Sequence, residues 1–214
     1  METTLIAVPC MDQVPAQFAQ SLATLRKVGA CVIATQVGSL IYTSRNNLAA
    51  QAIKYGADYI FWLDSDMLFP PDTLERMLKT IKEQEGDVIL TGLYCRRVAP
   101  FHPTLFKTLE VKDEMARWTD FDEIPEGLFE VEGCGFGCVL APTSAFVDVQ
   151  SKFGRMFSPI GDIGEDLSFC WRARECGWKI LCDPSIELGH VGHHIITREF
   201  WEDYKAFAQE NKHE

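Results

Sequence analysis

Tyr59-Ile60-Phe61-Trp62-Leu63-Asp64-Ser65-Asp66-Met67 is the stretch that decides how this chain is read. Its five leading residues, all apolar, predict a buried strand, and two carboxylates come at once after them, one residue apart. Ionised carboxylates are costly to desolvate without compensation, and two neighbours of like charge repel. At the C-terminal edge of a strand, where α/β proteins place their ligands, the usual compensation is a divalent cation. Oxygen donors suit Mg²⁺ or Mn²⁺. The plainer reading of so short a pattern is a solvated strand end with two incidental acids.

The flanking sequence alternates. Thr4 to Val8 predicts a strand ending at Pro9, and Gln17 to Val28 a helix carrying Phe18, Leu22 and Leu25 and stopping at Gly29. Ala30 to Ala34 predicts a second strand. Ser44 is a plausible N-cap for a helix with Leu48, Ala49, Ala52 and Ile53, closed by Gly56. After the acidic strand, Pro70-Pro71-Asp72 opens a helix whose Leu74, Met77, Leu78 and Ile81 share one face, and Asp87 to Leu93 predicts the next strand. Such a β-α-β series implies an α/β fold with a mostly parallel, helix-covered sheet.

The second half is less regular. Residues 94–127 read as loop, with prolines at 100, 103 and 125. Leu128 to Leu140 predicts two short strands around Gly133-Cys134-Gly135-Phe136-Gly137, glycines that either admit a ligand close to the backbone or make a tight bend. Glu165 to Cys176 predicts a helix, Trp178 to Cys182 a strand, and Thr197 the start of a last helix with Phe200, Trp201, Tyr204 and Phe207 facing inward.

Composition bounds the function. The chain has 214 residues, the size of one large domain, and a formal charge of −11, which argues against nucleic acid as the main partner. An anionic substrate would need a metal or a local basic patch. No apolar run approaches the ~20 residues of a membrane span. The N-terminus lacks the basic start of a signal peptide, so a cytoplasmic location with reduced, buried thiols is expected for the eight cysteines, none of them in a C-x-x-C pair.

Three further features bear on chemistry. Gly164-Glu165-Asp166 at a helix start is either dipole capping or a carboxylate available as a general base. His190, between two glycines just past a strand, is either a metal ligand or a solvated loop residue, and His193 and His194 read as the latter. Arg45, in Ser44-Arg45-Asn46-Asn47, could meet phosphate at a helix N-terminus or lie on the surface.

In this order, the Pro9 strand, the Ser-Arg-Asn helix, Leu63-Asp64-Ser65-Asp66, the Gly133–Gly137 segment, Gly164-Glu165-Asp166 and a histidine resemble the GT-A glycosyltransferases, most closely the soluble family-2-like enzymes. The run from Gly164 to Ile180 looks especially like that family's E-D helix and following strand. The resemblance covers about residues 3–196. It implies a single GT-A-like domain over 1–214, with a Rossmann-like sheet and a smaller mixed sheet. Residues 1–110 would be the nucleotide-sugar half, 111–196 the acceptor and catalytic half, and 197–214 a C-terminal helix.

The resemblance also implies roles. Asp64 would lie near the donor ribose and the metal, with Ser65 beside it. Asp66 would bind Mn²⁺ or Mg²⁺, and His190 would complete the metal site. Pro9 and Arg45 would border the nucleotide, and Gly135 and Phe136 the sugar and acceptor cleft. Asp166 would be the base, since only one of two successive helical acids can face the acceptor, with Glu165 the other candidate. The expected reaction is transfer from a nucleotide-diphosphate sugar, UDP favoured, to a glycan, protein or small-molecule hydroxyl, with inversion. A sugar-phosphate pyrophosphorylase would carry a Gly-rich basic loop where this chain has Val8-Pro9-Cys10-Met11-Asp12. A non-catalytic nucleotide-sugar binding module would need the metal carboxylates but not Asp166.

Overall fold

A computed structural model describes residues 1–38, 40–113, 115–192 and 195–210, so His193 and His194 lie outside the described residues. The first half runs β1 (Thr3–Cys10), α1 (Ala16–Thr24), β2 (Ala30–Val37), α2 (Ile41–Tyr55), β3 (Tyr59–Leu63), β4 (Met67–Leu68), α3 (Thr73–Lys82) and β5 (Val88–Leu93). The second runs β6 (Leu105–Lys112), β7 (Met115–Asp120), β8 (Phe129–Val131), β9 (Gly133–Cys134), β10 (Cys138–Pro142), α4 (Thr143–Phe153), α5 (Glu165–Glu175), β11 (Lys179–Glu187), β12 (Gly189–Val191), β13 (Ile195–Ile196) and α6 (Arg198–Glu210).

Seven strands form the central sheet in the order β2-β1-β3-β10-β5-β11-β8. β1 pairs in parallel with β2 and β3, and β5 with β11. Within this sheet, β8 and β10 oppose the common direction. β10 inserts between β3 and β5, so Val139 faces Trp62 on one side and Thr91 on the other. A cut at residue 110 would fall inside β6, and the sheet interleaves strands from both halves of the chain. Two small sheets, β13-β12-β4 and β7-β6-β9, complete the mixed part.

Strand alternation explains how one apolar run fills two cores. Ile60 and Trp62 project to one face, which α2, α4 and α5 cover; Phe61 and Leu63 project to the other, beneath α1 and α3. On the first face the core is an aromatic cluster: Trp62 lies 5.2 Å from Phe157, and Phe169 lies 4.7 Å from both Phe146 and Phe157. Edge-on and offset contacts of this kind add to the area they bury.

Several expectations are corrected. α1 ends at Thr24, four residues short of Val28, because Leu25 turns extended and the Arg26 amide donates to Pro71 O at 2.8 Å. Ser44 is not an N-cap: α2 begins at Ile41, and Ser44 is buried inside it, its amide donating to Leu40 O. Residues 94–127 are not all loop, since β6 and β7 form a hairpin. Its outer strand has no buried residue and so shows no periodicity. α4 carries no sequence signal we identified. Thr197 does cap α6, its hydroxyl accepting from the Phe200 amide at 3.1 Å, but Phe207 is 64% exposed rather than inward-facing. All eight cysteines are free thiols, and Cys10, Cys31 and Cys176 are only partly buried. No described helix is long and apolar enough to cross a membrane.

The alternate glycines make room for side chains, and a Cβ on Gly133 would stand 2.8 Å from Leu167 Cδ2. A Cβ on Gly135 would stand 2.2 Å from the Tyr94 hydroxyl, and one on Gly137 2.7 Å from its ring. Gly135 and Gly137 thus admit Tyr94, whose hydroxyl oxygen accepts from the Gly137 amide at 2.8 Å.

Candidate active site

A cavity of about 580 Å³ opens at the C-terminal edge of the sheet. Pro9 reaches it from β1, beyond the last residue (Ala7) that pairs with β3. Arg45 comes from α2, Asp64, Ser65 and Asp66 from the turn after β3, and Gly135 and Phe136 from the segment before β10. Glu165 and Asp166 come from the first turn of α5 and His190 from β12. All the residues singled out from sequence, though scattered from position 9 to position 190, thus border one space.

The D-x-D turn is tied down by its backbone. The Met67 amide donates to Asp64 O at 3.1 Å, closing the turn. The Asp64 amide donates to Gly137 O at 3.1 Å, and the Val191 amide donates to Asp66 O at 2.8 Å. His190 sits opposite Met67 in the β12–β4 ladder, which brings its ring to the second aspartate.

Arg45 is not a free phosphate ligand at a helix end. Only 2% exposed, it donates from Nη2 to Asp64 Oδ1 at 2.8 Å and from Nε to Glu165 Oε1 at 3.0 Å. Its guanidinium lies 5.4 Å from the Phe136 ring centroid and 5.6 Å from that of Trp62, within cation–π range. Phe136 therefore turns its ring into the core beneath Arg45 and meets the cavity only as part of its floor. Burial alone would lower the arginine's pKa, but Asp64 and Glu165 outweigh it and raise it. Asp64 is raised: burial outweighs the attraction of Arg45, and Asp66 adds repulsion.

Asp66 shows the opposite balance. Burial pushes it up, yet His190 and Arg97 together hold it below the usual carboxylate range. Its Oδ2 lies 2.8 Å from Arg97 Nη1 and 3.5 Å from His190 Nε2. Across the cavity, burial first and the charge of Glu165 second raise Asp166 to about 6. Asp166 Oδ1 accepts from the Leu167 amide at 2.8 Å. A Cβ on Gly164 would stand 2.9 Å from that oxygen, so glycine makes room for this carboxylate.

Does this donor set fit a divalent ion? Among the described residues no three His, Cys, Asp or Glu side chains cluster as ligands. Asp64 is turned to Arg45, which leaves Asp66 and His190. His190 Nδ1 is 2.8 Å from Cys95 O, and a carbonyl only accepts, so Nδ1 carries the hydrogen. Nε2 and Asp66 Oδ2, 3.5 Å apart, are then the nitrogen and oxygen donors that a cation between them would use. The pair fits a divalent ion that draws its remaining ligands from substrate and water.

Sequence reading missed Tyr94, Arg96 and Arg97, which also line the cavity. Arg96 donates to Asp120 Oδ1 at 2.9 Å. A signal was present: positions 96–97 hold the sequence's one Arg-Arg pair, just past a buried strand in an acidic chain.

Known proteins bear on the family and the fold. The family model described as "Glycosyl transferase family 2" matches residues 15–147. Among solved structures, A197 from STIV superposes with a TM-score of 0.64 at 18% identity, covering 92% of this chain and 94% of that one. S. aureus TarS 1-349 superposes with a TM-score of 0.51 at 14% identity, over 86% of this chain and 61% of that one. The same TarS fragment in complex with UDP-GlcNAc gives 0.54 at 15%, over 85% and 56%. This chain thus spans about six-tenths of the TarS fragment, and such low identities speak to fold alone. No curated protein matches the sequence. With more than half its residues matched by the family model, the chain belongs to glycosyl transferase family 2, on a GT-A fold.

Proposed function

We propose that this protein transfers a hexosyl unit from a nucleotide-diphosphate sugar, UDP-linked, to an acceptor hydroxyl, with inversion and with the help of Mn²⁺ or Mg²⁺. The observation that carries the reading is the split between two carboxylates in one cavity. Asp66 is held ionised by His190 and Arg97, while Asp166 titrates at about 6. Environments that push two acids apart in this way mark separate roles. The TarS fragment, solved with UDP-GlcNAc, supports the donor class.

Asp166 is the base. A sugar hydroxyl is a poor nucleophile, and a carboxylate titrating near 6 is largely ionised at neutral pH yet basic enough to take the hydroxyl proton as the bond to the anomeric carbon forms. Glu165 cannot share this task while Arg45 holds it. Asp66 and His190 would hold the ion, which supplies Lewis acidity toward the departing diphosphate. Asp64, fixed by Arg45, is left to meet the donor ribose. Arg96 and Arg97 give the cavity a local positive lining within a chain of net charge −11.

The deciding experiment is Asp166→Asn. Transfer should fall by at least ~10², the low end of general-base assistance, with UDP affinity in Mn²⁺ unchanged within a few-fold. Near-normal transfer would reassign the base to Glu165 or indicate a retaining mechanism. Asp66→Ala should abolish the Mn²⁺ dependence of UDP binding, and equal UDP affinity of the parent protein in EDTA and in Mn²⁺ would remove the metal from the reading.

A further inference from the structure

We infer that Arg97 is the exchangeable counter-ion of the Asp66–His190 site: it neutralises Asp66 in the free protein, and its guanidinium passes to the donor diphosphate when a divalent cation takes its place. This rests on the metal-assisted nucleotide-sugar reading above and extends it to a residue that reading leaves without a task.

Three observations carry it. Arg97 Nη1 lies 2.8 Å from Asp66 Oδ2, the same oxygen that His190 Nε2 approaches at 3.5 Å. One oxygen therefore faces both the guanidinium and the ring nitrogen that would join it in holding a cation. Next, the Arg97 side chain is 50% exposed, so leaving Asp66 requires little repacking. Finally, the backbone around it is anchored, while the half-exposed side chain is held through its pair with Asp66. The Arg96 amide donates to His102 O and the Thr104 amide to Tyr94 O, each at 2.9 Å, closing the loop on itself. Arg96 is further held by Asp120 and by the Phe106 ring, 5.3 Å from its guanidinium carbon.

Charge makes the exchange favourable in one direction. With Arg97 on Asp66 the pair is neutral, and a divalent ion arriving alone must displace a cation from its carboxylate. When the ion arrives with a diphosphate, the displaced guanidinium gains a planar, anionic partner that its fork matches. Arg97 would thereby weaken metal binding in the absence of donor and strengthen donor binding in the presence of metal. The two ligands become coupled, and the coupling is reciprocal.

The test measures Mn²⁺ binding to the full chain by electron paramagnetic resonance without nucleotide, and UDP binding by calorimetry with Mn²⁺ present. Arg97→Gln should tighten Mn²⁺ alone by about threefold to fivefold, the scale of a half-exposed ion pair. It should weaken UDP in Mn²⁺ by at least ~10-fold, the scale of a lost charged hydrogen bond. Arg97→Lys should fall between. Opposite signs in the two measurements identify exchange. If both affinities fall together, or neither moves, Arg97 is a packing or general electrostatic residue and the inference is overturned. Failure of the underlying reading looks different: the parent protein would then bind UDP equally with and without Mn²⁺, and Asp66→Ala would change nothing.

Discussion

Two arginines meet the two aspartates of the D-x-D turn, and they are opposites. Arg45 comes from α2, sits over aromatic rings and is shared between Asp64 and Glu165. Arg97 comes from a loop, is half in water and pairs with Asp66. The inner ion cluster joins α2, the β3 turn and α5, so it sets the relation between the donor-side acids and the helix that carries Asp166. The outer one joins side chains that a ligand can rearrange. Similar groups thus build a fixed frame and a movable contact around a single turn, and burial is what separates them.

The largest expected effect breaks the inner cluster. Arg45→Met leaves Asp64 and Glu165 as neighbouring acids with little solvent and should cost about 3 kcal/mol or more in urea unfolding. A loss under ~1 kcal/mol, the scale of an exposed pair, would mean that the aromatic floor, not the ion cluster, holds α2 to α5.

The next effect sharpens the comparison through Asp166. Its carboxyl titrates at about 6 when folded against 3.8 in an unfolded chain, so between those values the folded state keeps a proton that the unfolded state has lost. Its contribution to stability is therefore greatest at low pH and declines as pH rises through this window. The full decline is on the order of 3 kcal/mol. Asp166→Asn should accordingly raise stability at a pH of about 7.5 by ~1–3 kcal/mol, with the gain shrinking toward a pH of about 4. A gain independent of pH would contradict the raised value. In transfer assays the acid limb should lie at about 6, and it should stay there in Arg97→Gln, because the groups that shift Asp166 are Glu165, Arg45 and Asp64.

The smallest effect belongs to the outer contact. Arg97→Gln should change unfolding stability by less than ~1 kcal/mol, as for other partly exposed pairs. A cost comparable to that of Arg45→Met would erase the distinction between frame and movable contact.

Much of this architecture was legible in the chain itself. The run Ile60–Leu63 must be a buried strand because four consecutive apolar residues satisfy both faces of a covered sheet. The 3.6-residue spacing of Leu74, Met77, Leu78 and Ile81 selects the one face of α3 that is buried. Acids placed after a dry strand, and a glycine before Glu165 and Asp166, point to the cavity edge, though a solvated strand end or dipole capping would give the same local pattern. What only the tertiary structure decided depends on contacts distant in sequence. The insertion of β10 between β3 and β5 has no local signature, since an apolar strand reads the same whichever way it runs. The pairing of Arg45 with a glutamate 120 positions away likewise cannot be read from either residue's neighbours. Of the alternate glycines, open in sequence to a ligand approach or a tight bend, Gly135 and Gly137 give clearance to Tyr94 and Gly133 to Leu167, because a missing Cβ records that space is needed and not what fills it. Residue types and spacing determine which chemistry is available, whereas burial and partners, set by the whole fold, decide which carboxylate is locked, which is exchangeable and which is left basic.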